Sequence, residues 1–242
     1  MSQAFHFKQF SISQDKCAMK VGTDGVLLGA WAKSLITPNS ILDIGTGSGL
    51  ISLMMAQRFA HASINAIEID HAAYIQASDN FSNSPWSKRL TCVCESFQSF
   101  YVNHKEKYTL IVSNPPFFAN GQKTINEERN QARFESSLPF QDLLYGVSKL
   151  LAEKGVFCVI IPYDQEEGFL MLAKEYGLSP LNITRTKGNK SAPIKRSLLQ
   201  LGFKGEGTTT VQAQEDTIIL EKERHVYTAE YTAMVKAFYL KL

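Results

Sequence analysis

The 242 residues include only four cysteines, and no unbroken apolar run reaches the roughly 18 residues of a membrane span. Cys17, Cys92, Cys94 and Cys158 fit neither a disulfide framework nor a metal-ligand pattern, and they read as buried free thiols. Cys92 and Cys94 share one face of a strand read over residues 90–94. The histidines at 6, 61, 71, 104 and 225 are scattered with no pair at ligand spacing, so no metal is expected. A marked excess of basic over acidic residues, or the reverse, is lacking too. With 25 basic and 23 acidic side chains the net charge is +2, which exerts no general pull on nucleic acid or membrane. Any such preference must come from local clusters. Residues 1–6 lack a charged stretch leading into an apolar core, so no secretory signal is read and a cytoplasmic location is expected. What is present is an ordinary globular composition, 44% hydrophobic and 20% charged, in a length that suits one α/β domain.

From residue 41 onward, short apolar runs alternate with helical patterns. Strands are read at 41–44, 63–69, 90–94, 108–112 and 156–161, and helices at 50–59, 72–81 and 138–151. Such alternation predicts a mostly parallel sheet with helices on both faces. The rhythm then changes. A helix over 165–175 precedes two strands, 179–186 and 197–203, with no helix between them, which predicts an antiparallel hairpin. Residues 205–217 read as a loop or sheet edge, and 228–242 as a closing helix. No linker or repeat interrupts the chain, so 1–242 is taken as one domain, with 1–40 preceding a core of 41–242.

Two loops carry the chemistry. Asn114-Pro115-Pro116-Phe117 follows the strand at 108–112, and its residue types suit the holding of a planar amino group. The Asn114 amide oxygen and the Pro115 carbonyl can accept from an exocyclic NH2, and Phe117 can lie against a base or amide plane. Consecutive prolines lack N–H groups and have fixed φ, which stiffens the loop. A plain proline-rich turn is the bland alternative. The second loop is Asp43-Ile44-Gly45-Thr46-Gly47-Ser48-Gly49, where the first core strand turns into a helix. Its third glycine comes one residue too early for the dinucleotide fingerprint, and a tight βα turn is its alternative. Glu68 ends the next strand, where a carboxylate can bind ribose hydroxyls, with Asp70 as competitor. Glu95, Ser96 and Phe97 follow the third strand, placed to read an adenine edge and cover its face. Ribose-binding acids do not separate NAD from S-adenosylmethionine. The Asn-Pro-Pro-Phe loop does, because hydride transfer has no use for paired acceptors around an amine.

With both loops in place, the chain resembles class I S-adenosylmethionine-dependent methyltransferases that modify planar nitrogen. The block Phe10-Ser11-Ile12-Ser13-Gln14-Asp15, with Met19-Lys20-Val21-Gly22-Thr23-Asp24-Gly25 and the apolar stretch 26–32, is similar to bacterial tRNA adenine-N6 methyltransferases nearly end to end. The resemblance implies a Rossmann-like seven-stranded sheet and methylation of adenine 37 in the anticodon loop of a valine tRNA. It implies that 1–40 closes over the cofactor, with Lys20, Thr23 and Asp24 near its methionine end. Lys20 would pair with the carboxylate and Asp24 with the ammonium, unless Asp24 is simply a helix cap. For RNA contact the local sign is basic: Arg185, Lys187, Lys190, Lys195 and Arg196 fall within residues 185–196, which contain no acid. A solvated hairpin is the alternative. Residues 121–137, with Lys123, Arg129 and Arg133, read as a polar lid. Open rivals are a guanine-N2 methyltransferase, a protein glutamine methyltransferase and an inactive RNA-binding relative.

Overall fold

The computed structural model describes residues 4–17, 19–116, 138–204 and 213–241. The chain opens with a hairpin of β1 (Phe5–His6) and β2 (Ser11–Ile12), followed by α1 (Thr23–Trp31). Strand and helix then alternate through β3 (Ser40–Ile44), α2 (Leu50–Arg58), β4 (Ser63–Glu68), α3 (His71–Ser82), β5 (Leu90–Cys94), α4 (Phe97–Asn103) and β6 (Tyr108–Ser113). Further on lie α5 (Phe140–Leu150), β7 (Leu151–Pro162), α6 (Glu166–Glu175), β8 (Leu178–Lys187), β9 (Ile194–Phe203) and β10 (Gln214–Ile219). A small hairpin of β11 (Glu221–Glu223) and β12 (Val226–Tyr227) leads into α7 (Ala229–Val235).

The main sheet has the order β10-β8-β9-β7-β6-β3-β4-β5. Strands β3 to β7 are parallel, and β9 runs antiparallel to both β7 and β8. That double reversal returns β8 to the common direction, so the loop between β8 and β9 emerges at the carboxyl edge of the sheet. Strand β3 pairs with β4 on one side and β6 on the other. The loops leaving β3 and β6 therefore flank the switch point, where open α/β sheets bind ligands.

Burial explains the continuous apolar runs. Along β7, Val156, Cys158 and Ile160 enter one core layer while Phe157, Val159 and Ile161 enter the other. A strand covered on both faces has no polar side to show. Helices α1, α2, α3 and α7 cover the first face, and α4, α5 and α6 the second. Trp31 donates its indole N–H to Thr184 Oγ1 at 2.9 Å, which docks α1 onto the sheet.

Several expectations are corrected. The described sheet has eight strands rather than seven, because part of the stretch read as loop or edge pairs in parallel with β8 as β10. The closing helix stops at Val235, since Tyr239 bridges to Phe7 and the Phe238 carbonyl accepts from Lys8 N–H at 2.8 Å. Helix α4 was not foreseen. Of the free thiols only Cys158 is buried; Cys94 is exposed because β5 is an edge strand.

Candidate active site

The turn from β3 into α2 is built around Asp43. Its carboxylate is fully buried, and Oδ2 alone accepts three hydrogen bonds: from Thr46 Oγ1 at 2.7 Å, Ser52 Oγ at 2.7 Å and Ser52 N at 3.1 Å. Oδ1 has no partner among the described residues. Burial outweighs these bonds and pushes the carboxyl up from 3.8 to about 6. The glycines at 45, 47 and 49 have φ of 71°, 57° and 84°. A Cβ at Gly49 would stand 2.5 Å from the Phe81 ring, whereas one at Gly45 or Gly47 would meet nothing within 4 Å. Two glycines thus face open space, and the third lets the turn pack against α3. Glu68 fastens the other side, accepting from Gly47 N at 2.8 Å and Asp70 N at 2.9 Å on separate oxygens. Each oxygen keeps a lone pair for a ribose hydroxyl. Asp70 is committed elsewhere, since it caps α3 by accepting from Ala73 N at 2.7 Å.

Opposite that turn stands Asn114. Ser113 donates its hydroxyl to the Ile44 carbonyl at 3.0 Å, tying the end of β6 to the start of the glycine turn. Asn114 Oδ1 is buried and, among the described residues, unpartnered. A cavity of about 340 Å³ lies between the two loops, within the size range of small-ligand sites. Its walls include Gly45, Gly47, Asn114, Lys20, Thr23 and Asp24. The sequence readings of these six residues therefore converge on one space. The fit to a nucleoside methyl donor is good: an open glycine cradle, a carboxylate beside it and Asn114 in the opposite wall.

Other assignments change. Asp43 does not line the cavity; it shapes the turn that does. Phe97 is 5% exposed and packed against Gly146 and Tyr101, so it fills the core and covers no ligand. Ser96 caps α4 by accepting from Ser99 N, and Glu95 accepts from Ser99 Oγ at 2.6 Å and approaches His104 at 3.7 Å. These three residues start a helix. Arg185 is held by Glu166 and by Glu215, at 2.6 Å and 2.8 Å, which raises its pKa further and commits its guanidinium to these carboxylates. Arg196 pairs with Asp24. Lys190 and Lys195 are exposed at the carboxyl edge, with Lys187 half-buried and donating to the Lys190 carbonyl at 3.1 Å. Phe117 and residues 121–137 lie outside the described residues.

Sequence reasoning missed the device that seats the N-terminal segment. Buried Asn80 donates to the carbonyls of Ser13 and Ser48, at 2.9 and 2.8 Å, and accepts from Ser13 N at 3.0 Å. Gln76 accepts from Lys16 N at 3.0 Å. One helix face thus joins the segment before α1 to the glycine turn. The available signal was two polar residues at core spacing on α3, among Ala73, Ala77 and Phe81. Among the described residues, no group of three His, Cys, Asp or Glu side chains could hold a metal.

Comparison with known proteins agrees with this geometry. A family model described as "Methyltransferase small domain" matches residues 20–134. A predicted O-methyltransferase from Agrobacterium tumefaciens superposes with a TM-score of 0.68 at 16% identity, covering 89% of this chain and 96% of that one. The TYW2 protein of P. horikoshii, solved in complex with MeSAdo, gives 0.56 at 15% identity, over 82% of this chain and 69% of that one. Sheet order, glycine turn and Asn-Pro-Pro loop together define a class I methyltransferase. Sequence relatives are much nearer. A tRNA1(Val) (adenine(37)-N6)-methyltransferase from Flavobacterium psychrophilum is 51% identical over 98% of this chain and 100% of its own length. One from Bacteroides fragilis is 44% identical over the whole of both. The chain belongs to the tRNA1(Val) (adenine(37)-N6)-methyltransferase family.

Proposed function

We propose that this chain transfers a methyl group from S-adenosylmethionine to the exocyclic N6 amine of adenine 37 in tRNA1(Val), acting in the cytoplasm as a single domain. The observation that carries the reading is the Asn114 amide oxygen, buried and without a partner among the described residues, on a side chain in the wall of the cavity that Gly45 and Gly47 line. A buried acceptor left unpaired costs about 1–3 kcal/mol, and an incoming NH2 group relieves that cost. Support for the substrate comes from relatives that carry this name over nearly the full chain.

When bound, S-adenosylmethionine supplies an activated methyl group on a cationic sulfur, so the task left to the protein is to orient a weak nucleophile. Glu68 accepts from the ribose, and Lys20, Thr23 and Asp24 lie along the cavity for the charged amino-acid end. Asn114 Oδ1 and the Pro115 carbonyl accept the two amine hydrogens, which turns the nitrogen lone pair out of conjugation with the ring. Orientation of this kind supplies roughly 7–11 kcal/mol in favourable cases. Phe117 is assigned to stacking on the base, worth about 1–3 kcal/mol. Lys187, Lys190 and Lys195 sit at the sheet edge from which phosphates would arrive. The test is mass spectrometry of nucleosides from tRNA1(Val) incubated with the protein and S-adenosylmethionine. N6-methyladenosine at position 37 is the expected product; a methylated guanine, or methylation of a protein glutamine with tRNA untouched, would reject the reading.

A further inference from the structure

Arg196 reads from sequence as a phosphate ligand, but its guanidinium is engaged at the cavity wall. Its Nε donates to Asp24 Oδ2 at 2.8 Å, and the two side chains are 32% and 28% exposed. A second bond, Nη1 to the Lys195 carbonyl at 3.1 Å, steadies the guanidinium. The partners lie 172 residues apart, one in the first turn of α1 and the other near the start of β9. Arg196 sits in register with Pro162 and Thr186, so it belongs to the rigid sheet. Asp24 belongs to the segment packed over the glycine turn. The plain-cap reading of Asp24 does not hold, because Gly22 is the N-cap of α1 and no side chain caps it. With Oδ2 taken by Arg196, Asp24 keeps Oδ1 without a hydrogen bond among the described residues, on a residue that lines the cavity.

We infer that Arg196 is a positioning residue of the methyl-donor site: it holds Asp24 so that Oδ1 receives the cationic ammonium of the donor's amino-acid end. The inference rests on S-adenosylmethionine being the donor. A charge-assisted bond from a guanidinium on a strand fixes a carboxylate more firmly than solvent does. It also ties the N-terminal segment to the β8–β9 hairpin at the cavity rim.

Calorimetry on the full chain with two ligands tests this. S-adenosylhomocysteine carries the amino-acid end, and 5′-methylthioadenosine has the same nucleoside and sulfur without it. For Arg196→Gln the Kd of S-adenosylhomocysteine should rise on the order of tenfold, equivalent to about 1.4 kcal/mol. The Kd of 5′-methylthioadenosine and the KM for tRNA should stay at wild-type values. Arg196→Lys should recover part of the loss, and Asp24→Asn should reproduce the selectivity. Equal weakening of both ligands would mean general damage and overturn the inference. So would unchanged cofactor binding with a raised tRNA KM and a flatter salt dependence, the signature of a phosphate ligand. Failure of the wild-type chain to bind S-adenosylhomocysteine would remove the donor reading itself, and no variant is needed to see that.

Discussion

Truncating Asn114 to alanine should separate catalysis from stability. The backbone at this point is held by the Ser113 hydroxyl on the Ile44 carbonyl and by two following prolines, so removing the amide leaves the loop in place. What disappears is one prealigned acceptor in a site shielded from water. Removal of a single prealigned hydrogen-bonding group from an active site costs about 10²–10³ in kcat, or about 2.7–4 kcal/mol. The same deletion erases a buried oxygen that has no partner among the described residues, relieving about 1–3 kcal/mol of desolvation cost against a small loss of packing. Asn114→Ala should therefore lose about 100- to 1,000-fold in single-turnover methylation of tRNA while its Tm holds or rises. Its affinity for S-adenosylhomocysteine should change less than about threefold, under 1 kcal/mol. Turnover within about threefold of wild type would refute this role for the amide. A tenfold loss of cofactor affinity, or a Tm lowered by many degrees, would refute it equally, because the side chain would then be structural.

Gly47→Ala and Gly49→Ala should fail in different ways. Both force a side chain into left-handed backbone at about 1–2 kcal/mol, but the Gly49 methyl also collides with Phe81 at 2.5 Å. Thermal melts should show the larger loss for Gly49→Ala, and calorimetry the more selective loss of cofactor binding for Gly47→Ala. Asp43 takes up its proton more readily when folded, with its pKa pushed from 3.8 to about 6, so the native state holds more protons than the unfolded chain between those values. Stability from this group therefore falls as pH rises from about 4 to about 6, by about 3 kcal/mol in total. Asp43→Asn, which keeps one oxygen for the three bonds now made by Oδ2, should flatten that part of the denaturation profile; a profile like that of wild type would place the titration elsewhere. Arg185→Ala should cost about 3 kcal/mol of stability by leaving buried Glu166 without its cation. Replacing Lys187, Lys190 and Lys195 together should leave Tm unchanged, weaken tRNA binding and reduce its salt slope by about one per lost phosphate contact. Opposite outcomes for these two variants would reverse the roles given to the arginine and the lysines.

The parallel core was legible because its strands are buried on both faces, which writes them as unbroken apolar runs such as 156–161. The two loops were legible because chemistry constrains them locally: glycines where φ is positive, and prolines where an acceptor must not move. Less visible was everything that depends on a partner far away in sequence. Arg185 and Arg196 look alike in a basic stretch, and only Glu166, Glu215 and Asp24 show them to be taken. Phe97 stands where an adenine cover would be sought, yet it belongs to α4, whose short pattern was hidden behind the strand before it. Asn80 and Gln76 hint at their role only as polar residues at core spacing, and the partners of Asn80 in the N-terminal segment and the glycine turn could not be read from that. Strand β10 carries four exposed residues at its start, as an edge strand does, and so resembles a loop.

Methyl transfer here requires donor and acceptor to share the space between residues 45–49 and Asn114. A crystal structure of the protein with S-adenosylhomocysteine and an anticodon stem-loop measures that directly. The homocysteine sulfur should lie between the glycine turn and Asn114, with the adenine amine about 2.7–3.2 Å from both Asn114 Oδ1 and the Pro115 carbonyl. An amine bound beyond hydrogen-bond reach of Asn114, or a nucleoside seated away from Gly45 and Gly47, would contradict it.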